Sequence, residues 1–570
     1  MNDRRLLLAL ALIMVIAFVP TIFLKKPLPK PVPAAQVTDS LNAATPPAAP
    51  ATAPANAPAM IVAPDAVRDT APTVTTPENI VVVRSGLYRY AISTRGGRIV
   101  SSRFLHYVSL VPADKRDTLE LLAPGNALLA TTLIAGNDTL RLDRIAFTAS
   151  ADSIAVTGAP ATLTLHGTSG AYAVDLSYTF QPDDYRISAT GKVTGLGPTG
   201  GTMLIGLGNG FRETEADTKD NATQSGIVTK LEKTSLTRFG QLEPRKLTTM
   251  SGPFEWAAVK SKYFVASLFA YDSTGPQSTR GSIGGLQAYA TDTASHPTRA
   301  QVAVSLGVPS EGSFKWSLYL GPMEYDRLHR MGHDFDDVNP YGWSWLRPVI
   351  RPIAVVIRTI FVWMHTSLGL GYGLVIVVFG LMVRILLWPL SRIAMRSMAR
   401  MQAVQPLLQA IQERHKDNPQ LVQQETFKLY KEHKVNPFGG CWPMLLPYPL
   451  LVAVFFVLAY TIEVRGQTFL WLPDLARFDP LYIIPVLMAG SMFAVSKIGQ
   501  MGLPPNPQTK MMTWLMPAMM LVFFARFASG LNLYYTIQNL ASIPQQWLVV
   551  KERMKNAPAA AVATVKKKGR

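Results

Sequence analysis

The sequence predicts a membrane-embedded α-helical bundle that carries a large all-β domain. Three observations predict it. Apolar runs long enough to span a bilayer recur through the C-terminal part, one of them holds an arginine well inside it, and residues 80–322 alternate apolar and polar positions with period two. With 48% hydrophobic residues in a 570-residue chain of net charge +18 and a mean hydropathy of +0.17, the composition excludes a disordered chain. It suits a membrane protein with a sizeable water-soluble part. The single cysteine, Cys441, cannot form an intramolecular disulfide. No GxxxxGK[ST] loop, GxSxG, HExxH or paired CxxC occurs, so no catalytic residue, metal site or cofactor is expected.

In chain order, Asn2-Asp3-Arg4-Arg5 precedes an apolar run from Leu6 to Leu24, closed by Lys25-Lys26-Pro27. The run exceeds the apolar core of an ordinary signal peptide and reads as an uncleaved anchor, residues 1–26, with its N-terminus inside. Residues 27–79 are rich in Pro and Ala with almost no aromatics, a composition that cannot offset chain entropy by burial and reads as a disordered tether. Residues 80–322 give short strands such as Leu87–Ile92, Thr162–Leu165 and Phe314–Leu320, with Thr94-Arg95-Gly96-Gly97 as a hairpin turn. A β-sandwich without chemistry of its own is expected there.

Residues 340–366 form an amphipathic helix opened by Trp343 and Trp345, with Arg347, Arg351, Arg358 and His365 on one face. That pattern suits a helix lying in the headgroup layer. If Pro352 is instead the first helical residue, Arg347 and Arg351 drop out of the stripe. The core, residues 367–550, then has five apolar segments. The first, Tyr372–Leu390, contains Arg384, and an arginine at mid-membrane costs about 2.5–3.5 kcal/mol. Two readings compete: Arg384 snorkels to the headgroups, or it faces a wet cavity. A charged hairpin, 391–434, follows, with Arg392, Arg396 and Arg400 at i, i+4, i+8, a turn at Lys416–Pro419, and a second helix bearing Val422, Thr426, Leu429 and Tyr430 on one face. Its basic excess places it on the cytoplasmic side. The remaining segments are Trp442–Ile462, Leu481–Ser496, Met511–Phe527 and Leu531–Val550, and a basic tail, 551–570, ends in Lys566, Lys567, Lys568 and Arg570. Alternation of the spans puts this tail inside and the β domain outside.

The last segment places Asn532, Tyr535, Asn539 and Ser542 on one face with Gln538 beside it. A whole polar face opposite Arg384 favours a hydrated, positively charged groove. Met511, Met512, Met516, Met519 and Met520 crowd the preceding segment. Lipid-facing packing and a pliable wall for varied apolar guests, with Met512, Met516 and Met519 as its candidates, are its two readings.

Asn436-Pro437-Phe438-Gly439-Gly440-Cys441 with Pro443, Arg384 five residues before Pro389, and Ser529-Gly530-Leu531 with Tyr534-Tyr535 together resemble the bacterial YidC membrane protein insertases of the Gram-negative type. Ser93–Gly97, Trp256 and Lys262-Tyr263-Phe264 resemble their soluble domain. The resemblance implies a periplasmic β-supersandwich and a groove open to cytoplasm and lipid, in which Arg384 faces the groove and Tyr535 contacts the client. It implies a mobile cytoplasmic hairpin that receives clients and a basic tail that assists ribosome contact. It also implies a multi-pass inner-membrane protein with both termini cytoplasmic, working alone or with the Sec translocon, with the signal recognition particle route and ribosomes as partners. The net charge of +18 by itself suits anionic lipid headgroups or RNA. Three positions depart from the pattern. Gly380 removes a hydroxyl one turn before Arg384, Pro447 sits where a polar residue is common, and Ala528 replaces a proline before Ser529. A transporter of a small anionic solute is the competing function, but it calls for inverted repeats that five spans without internal symmetry do not offer. A purely structural scaffold would leave the polar face of the last span without a purpose.

Overall fold

The computed structural model describes residues 78–114, 116–270, 283–292, 297–393, 404–416, 418–433, 447–501 and 507–556. The N-terminal anchor, residues 27–77 of the tether, Arg396, Arg400, the Asn436–Cys441 motif and Lys566–Lys568 lie outside these residues. The last two residues assigned to the tether belong to the β unit, the Asn79 N–H donating to Thr94 Oγ1 at 3.0 Å and Glu78 lying 3.6 Å from Arg98. The chain divides into two compact units, Met1–Gly321 and Pro322–Arg570.

The described part of the first unit is built from three sheets of five, nine and six strands. Alternation drives it: Ala161–Ser169 buries Leu163, Leu165 and Gly167 and exposes the residues between them, as a sheet with one wet face requires. Ala161–Ser169, Tyr172–Phe180, Arg186–Thr194 and Ser313–Pro322 pair antiparallel in the nine-stranded sheet. The expected turn joins Tyr88–Ser93 to Ile99–Val108, with Gly96 at φ +77° and Gly97 at φ +62°. At Gly96 a Cβ would also meet the Asp143 backbone at 2.5 Å, so both the conformation and the space call for glycine. The core is aromatic. Phe104 of the five-stranded sheet stacks on Phe264 of the nine-stranded one at 5.6 Å, and Tyr88 stacks on Tyr90 at 4.2 Å. Buried hydroxyls find carbonyls, Tyr90 donating to Leu320 and Tyr178 to Gly97, each at 3.0 Å.

The second unit is helical. A short helix in the β unit, Thr218–Gln224, is α1. The helices after it are α2 (Tyr325–Arg330), α3 (Arg347–Leu368), α4 (Tyr372–Leu386), α5 (Gln405–Arg414), α6 (Pro419–Glu432), α7 (Pro447–Tyr460), α8 (Ile483–Gly499), α9 (Pro507–Phe524) and α10 (Ser529–Asn556). Helix α3 starts at Arg347 with Pro352 inside it, so the basic stripe keeps all its members. Arg351 donates to Asp336 at 2.5 Å and Arg347 to Asp337 at 3.2 Å. Arg358, only 3% exposed, donates to both oxygens of Asp326 at 2.9 and 3.0 Å and also to Glu463. These ion pairs tie α3 to α2 and to the segment after α7. Among the described residues α3 is the one helix long and apolar enough to cross a membrane, with shorter apolar helices over Tyr372–Leu386, Tyr448–Tyr460, Ile483–Gly499 and Lys510–Phe524. The hairpin helices α5 and α6 pack on each other, and the Asn418 side chain accepts from the Leu421 N–H at 3.1 Å as the cap of α6. Leu429 is the buried residue of the face expected there.

Burial, aided by the nearby Arg238 guanidinium, pushes the Lys260 amine down from 10.5 to about 7. The unfolded chain therefore holds one more proton than the folded one between those values. Stability of the β unit should rise with pH across that window and fall as pH drops toward 7, by at most about 1.4 kcal/mol per pH unit from this group. Guanidinium denaturation at pH 7 and at about pH 9.5 checks it. Lys260→Met should flatten the difference, and an undiminished difference in that variant would refute the assignment.

Candidate functional site

Helix α4 has two faces. Leu381, Met382, Ile385 and Leu386 are exposed, while Ile376, Phe379, Gly380 and Val383 are buried against neighbouring helices. Arg384 belongs with the inner face. It turns toward α10, where its Nη2 donates to Gln545 Oε1 at 2.6 Å. Gln545 is 1% exposed, and its Nε2 donates on to the Trp388 carbonyl at 3.1 Å. One amide thus closes a bridge between the guanidinium and the backbone just beyond α4. The Arg384 Nε is buried without a hydrogen-bond partner among the described residues. Arg384 therefore points into the bundle, and its partner is neutral, so its charge is oriented without being cancelled.

Gly380 lets α10 come this close. A Cβ there would lie 3.1 Å from Ile537 Cγ2, and Gln538 Nε2 donates to the Gly380 carbonyl at 2.8 Å. The hydroxyl missing at this level is thus replaced by an amide from the facing helix. The other polar residues of α10 go to different neighbours. Asn539 Nδ2 donates to Ser491 Oγ of α8 at 3.2 Å, and Asn532 Nδ2 donates to the Phe524 carbonyl at the end of α9 at 3.0 Å. Asn532 is fully buried, with its Oδ1 unpaired among the described residues. Ser542 Oγ donates within its own helix to the Asn539 carbonyl at 2.6 Å. Tyr535 is half-buried with its ring edge-on to Phe524 at 5.4 Å.

Of the residues expected to gather around Arg384, Gln538 alone meets α4 through a hydrogen bond among the described residues, one turn away. Asn532, Asn539 and Ser542 make no hydrogen bond to α4 among the described residues. The α10 face winds past three helices and spends those groups on α9, α8 and α10 itself. Gln545, absent from the expected set, supplies the contact. It lies seven residues after Gln538 on the same stripe, so extending the polar face by one turn finds it.

At the opposite end of α10, Ser529 and Gly530 dock on the loop before α8. The Ser529 N–H donates to the Arg477 carbonyl at 2.7 Å, and the Gly530 N–H to the Leu475 carbonyl at 2.9 Å. Ala528 in place of proline leaves this docking intact. On α9, Met512 is exposed, and Met516 and Met519 are half-buried. Arg392, beyond α4, lies 3.8 Å from Glu552 of α10. The described part of α7 opens at Pro447.

The sequence family described as "60Kd inner membrane protein" matches residues 363–557, and that described as "YidC periplasmic domain" matches residues 80–355. The chain is 31% identical to a membrane protein insertase YidC of Chlorobium luteolum, covering 96% of this chain and 95% of the relative. It is 32% identical to one of Chlorobaculum parvum, covering 88% of each. A solved structure of an active YidC insertase, with its first transmembrane domain resolved, aligns over 82% of this chain and 94% of its own length, with 16% identity and a TM-score of 0.34.

Gln545→Leu keeps the volume but leaves the Arg384 guanidinium and the Trp388 carbonyl without their partner. Each orphaned group costs about 1–3 kcal/mol. The thermal midpoint of the helical unit in detergent should fall by several degrees, and an unchanged midpoint would show that the bridge holds nothing together.

Proposed function

The chain belongs to the YidC family of membrane protein insertases, and from that premise we propose that Arg384 is the charged element of the path its clients take. The protein is an inner-membrane insertase acting on membrane-protein substrates. In the proposed mechanism a client's polar tail pauses beside α4 and α10 partway across the bilayer. Arg384 attracts acidic residues of that tail, and the low dielectric around it strengthens the attraction. The client's apolar segment meanwhile leaves into lipid along α9, where Met512, Met516 and Met519 offer adaptable apolar contacts. Burial of that segment drives the step, with the membrane potential assisting acidic tails. No nucleotide is consumed, and the protein is an insertase and chaperone rather than an enzyme.

The observation that carries this reading is the inward turn of Arg384 to a neutral amide. Gln545 acts as a positioning residue, holding the guanidinium away from the headgroups. Gln538 and Tyr535 stand on α10 next to this path, and Asn532, Asn539 and Ser542 fix α10 to its neighbours. The β domain lies in the periplasm and both termini in the cytoplasm. The exposed faces of α5 and α6, with Arg392, Arg396 and Arg400, receive clients, and Lys566–Lys568 contact the ribosome. The Sec translocon, the signal recognition particle route and anionic lipids are the remaining partners. In this reading α3 lies in the headgroup layer, its arginines paired with acidic residues of the outer side.

Reconstitution in liposomes with a single-span client bearing an acidic tail tests the mechanism. Arg384→Ala should lower insertion by about tenfold or more, a loss of about 1.4 kcal/mol, while the thermal midpoint shows a folded protein. Arg384→Lys should retain more activity, because charge matters here more than fork geometry. Full activity of Arg384→Ala would overturn the proposal.

A further inference from the structure

Beyond Arg384, the helical stretch after α4 and the last turns of α10 enclose a cavity of about 370 Å³. Its lining includes three cations, Arg392, Lys551 and Lys555, against one carboxylate, Glu552, with Trp388 and Leu548 as apolar walls. Arg392 and Glu552 approach only to 3.8 Å, with side chains 53% and 40% exposed, a loose pairing that leaves net positive charge facing the space. Gln545 also lines the cavity. Being almost wholly buried and bonded to both Arg384 and the Trp388 carbonyl, it walls the cavity off from the bundle interior. On the outside, Leu548 is 54% exposed, and Ile385 and Leu386, just before Trp388, are 72% and 75% exposed.

We propose that this cavity binds the headgroup phosphate of an anionic phospholipid. Arg392, Lys551 and Lys555 face the phosphate, and the acyl chains run along Leu548, Ile385 and Leu386. Pocket volumes of roughly 300 Å³ and above suit a small ligand, and basic pockets between helices at the cytoplasmic surface are suited to anionic headgroups. The exposed apolar skirt favours a lipid over an acidic peptide, and the Gln545 wall separates the cavity from the path on the inner face of α4. The inference rests on placing this end of the bundle at the cytoplasmic membrane surface.

Native mass spectrometry of the purified full chain tests it, with phosphatidylglycerol, phosphatidylcholine, inorganic phosphate or an acidic peptide added. The protein should retain phosphatidylglycerol in preference to phosphatidylcholine. Lys551→Gln/Lys555→Gln should weaken that retention about tenfold, and Lys551→Arg/Lys555→Arg should restore it, which separates charge loss from misfolding. Equal retention of both lipids, or retention unchanged in the Gln variant, overturns the proposal. So does binding of phosphate alone, which would make this a soluble-anion site, or of the acidic peptide alone, which would make it a client site. Lys551→Gln/Lys555→Gln should leave insertion of the acidic-tailed client intact, so failure of the client path and failure of this site are read separately.

Discussion

A guanidinium held inside a helix bundle by a neutral amide is the constraint on which the helical unit depends. Placing Arg384 on the inner face of α4 costs desolvation, and the Gln545 bridge offsets part of it with a charge-assisted hydrogen bond. A carboxylate in Gln545's place would pair more strongly and leave little field for an incoming acidic tail. The amide fixes geometry and preserves charge. Gly380 and Ile537 set how near α10 comes, and that approach puts the amide within reach.

The two units depend on different physics. The β unit is held by alternating burial and by stacked aromatic rings across its sheets, with the buried Tyr90 and Tyr178 hydroxyls each finding a carbonyl. The helical unit places polar contacts where a soluble bundle would place leucines: amide to carbonyl at Gln538 and Asn532, amide to hydroxyl at Asn539. In a bilayer such contacts stand in for the hydrophobic drive that lipid cannot supply between helices. The acidic partners of Arg347, Arg351 and Arg358 anchor α3 by charge rather than by apolar packing alone.

Much of this was legible in the residues. Period-two runs marked the strands around Thr162 and Phe314, the double glycine marked the turn at Gly96-Gly97, and an arginine inside an apolar run marked a side chain that turns inward to a partner. Pattern could not assign partners. A polar stripe on a helix records which groups avoid lipid, but three neighbouring helices compete for them, and the winding of α10 past α9, α8 and α4 is a tertiary fact. The stripe therefore does not say which of its groups reach Arg384: Asn532 and Asn539 bond to α9 and α8, while Gln545, one turn beyond Ser542, makes the contact. Pro352 shows the same limit locally: a proline near a helix start fits the first turn or the interior, and the ion pairs of Arg347 and Arg351 decide for the interior.

The most direct measurement of the central claim is water access at position 384. With Cys441 replaced by serine, Arg384→Cys in proteoliposomes should react with a charged thiol reagent, whereas Ile385→Cys, on the outer face, should stay protected by lipid. Protection at 384 together with reaction at 385 would mean that α4 presents its arginine to hydrocarbon and headgroups, and the account of a hydrated inner path would be wrong.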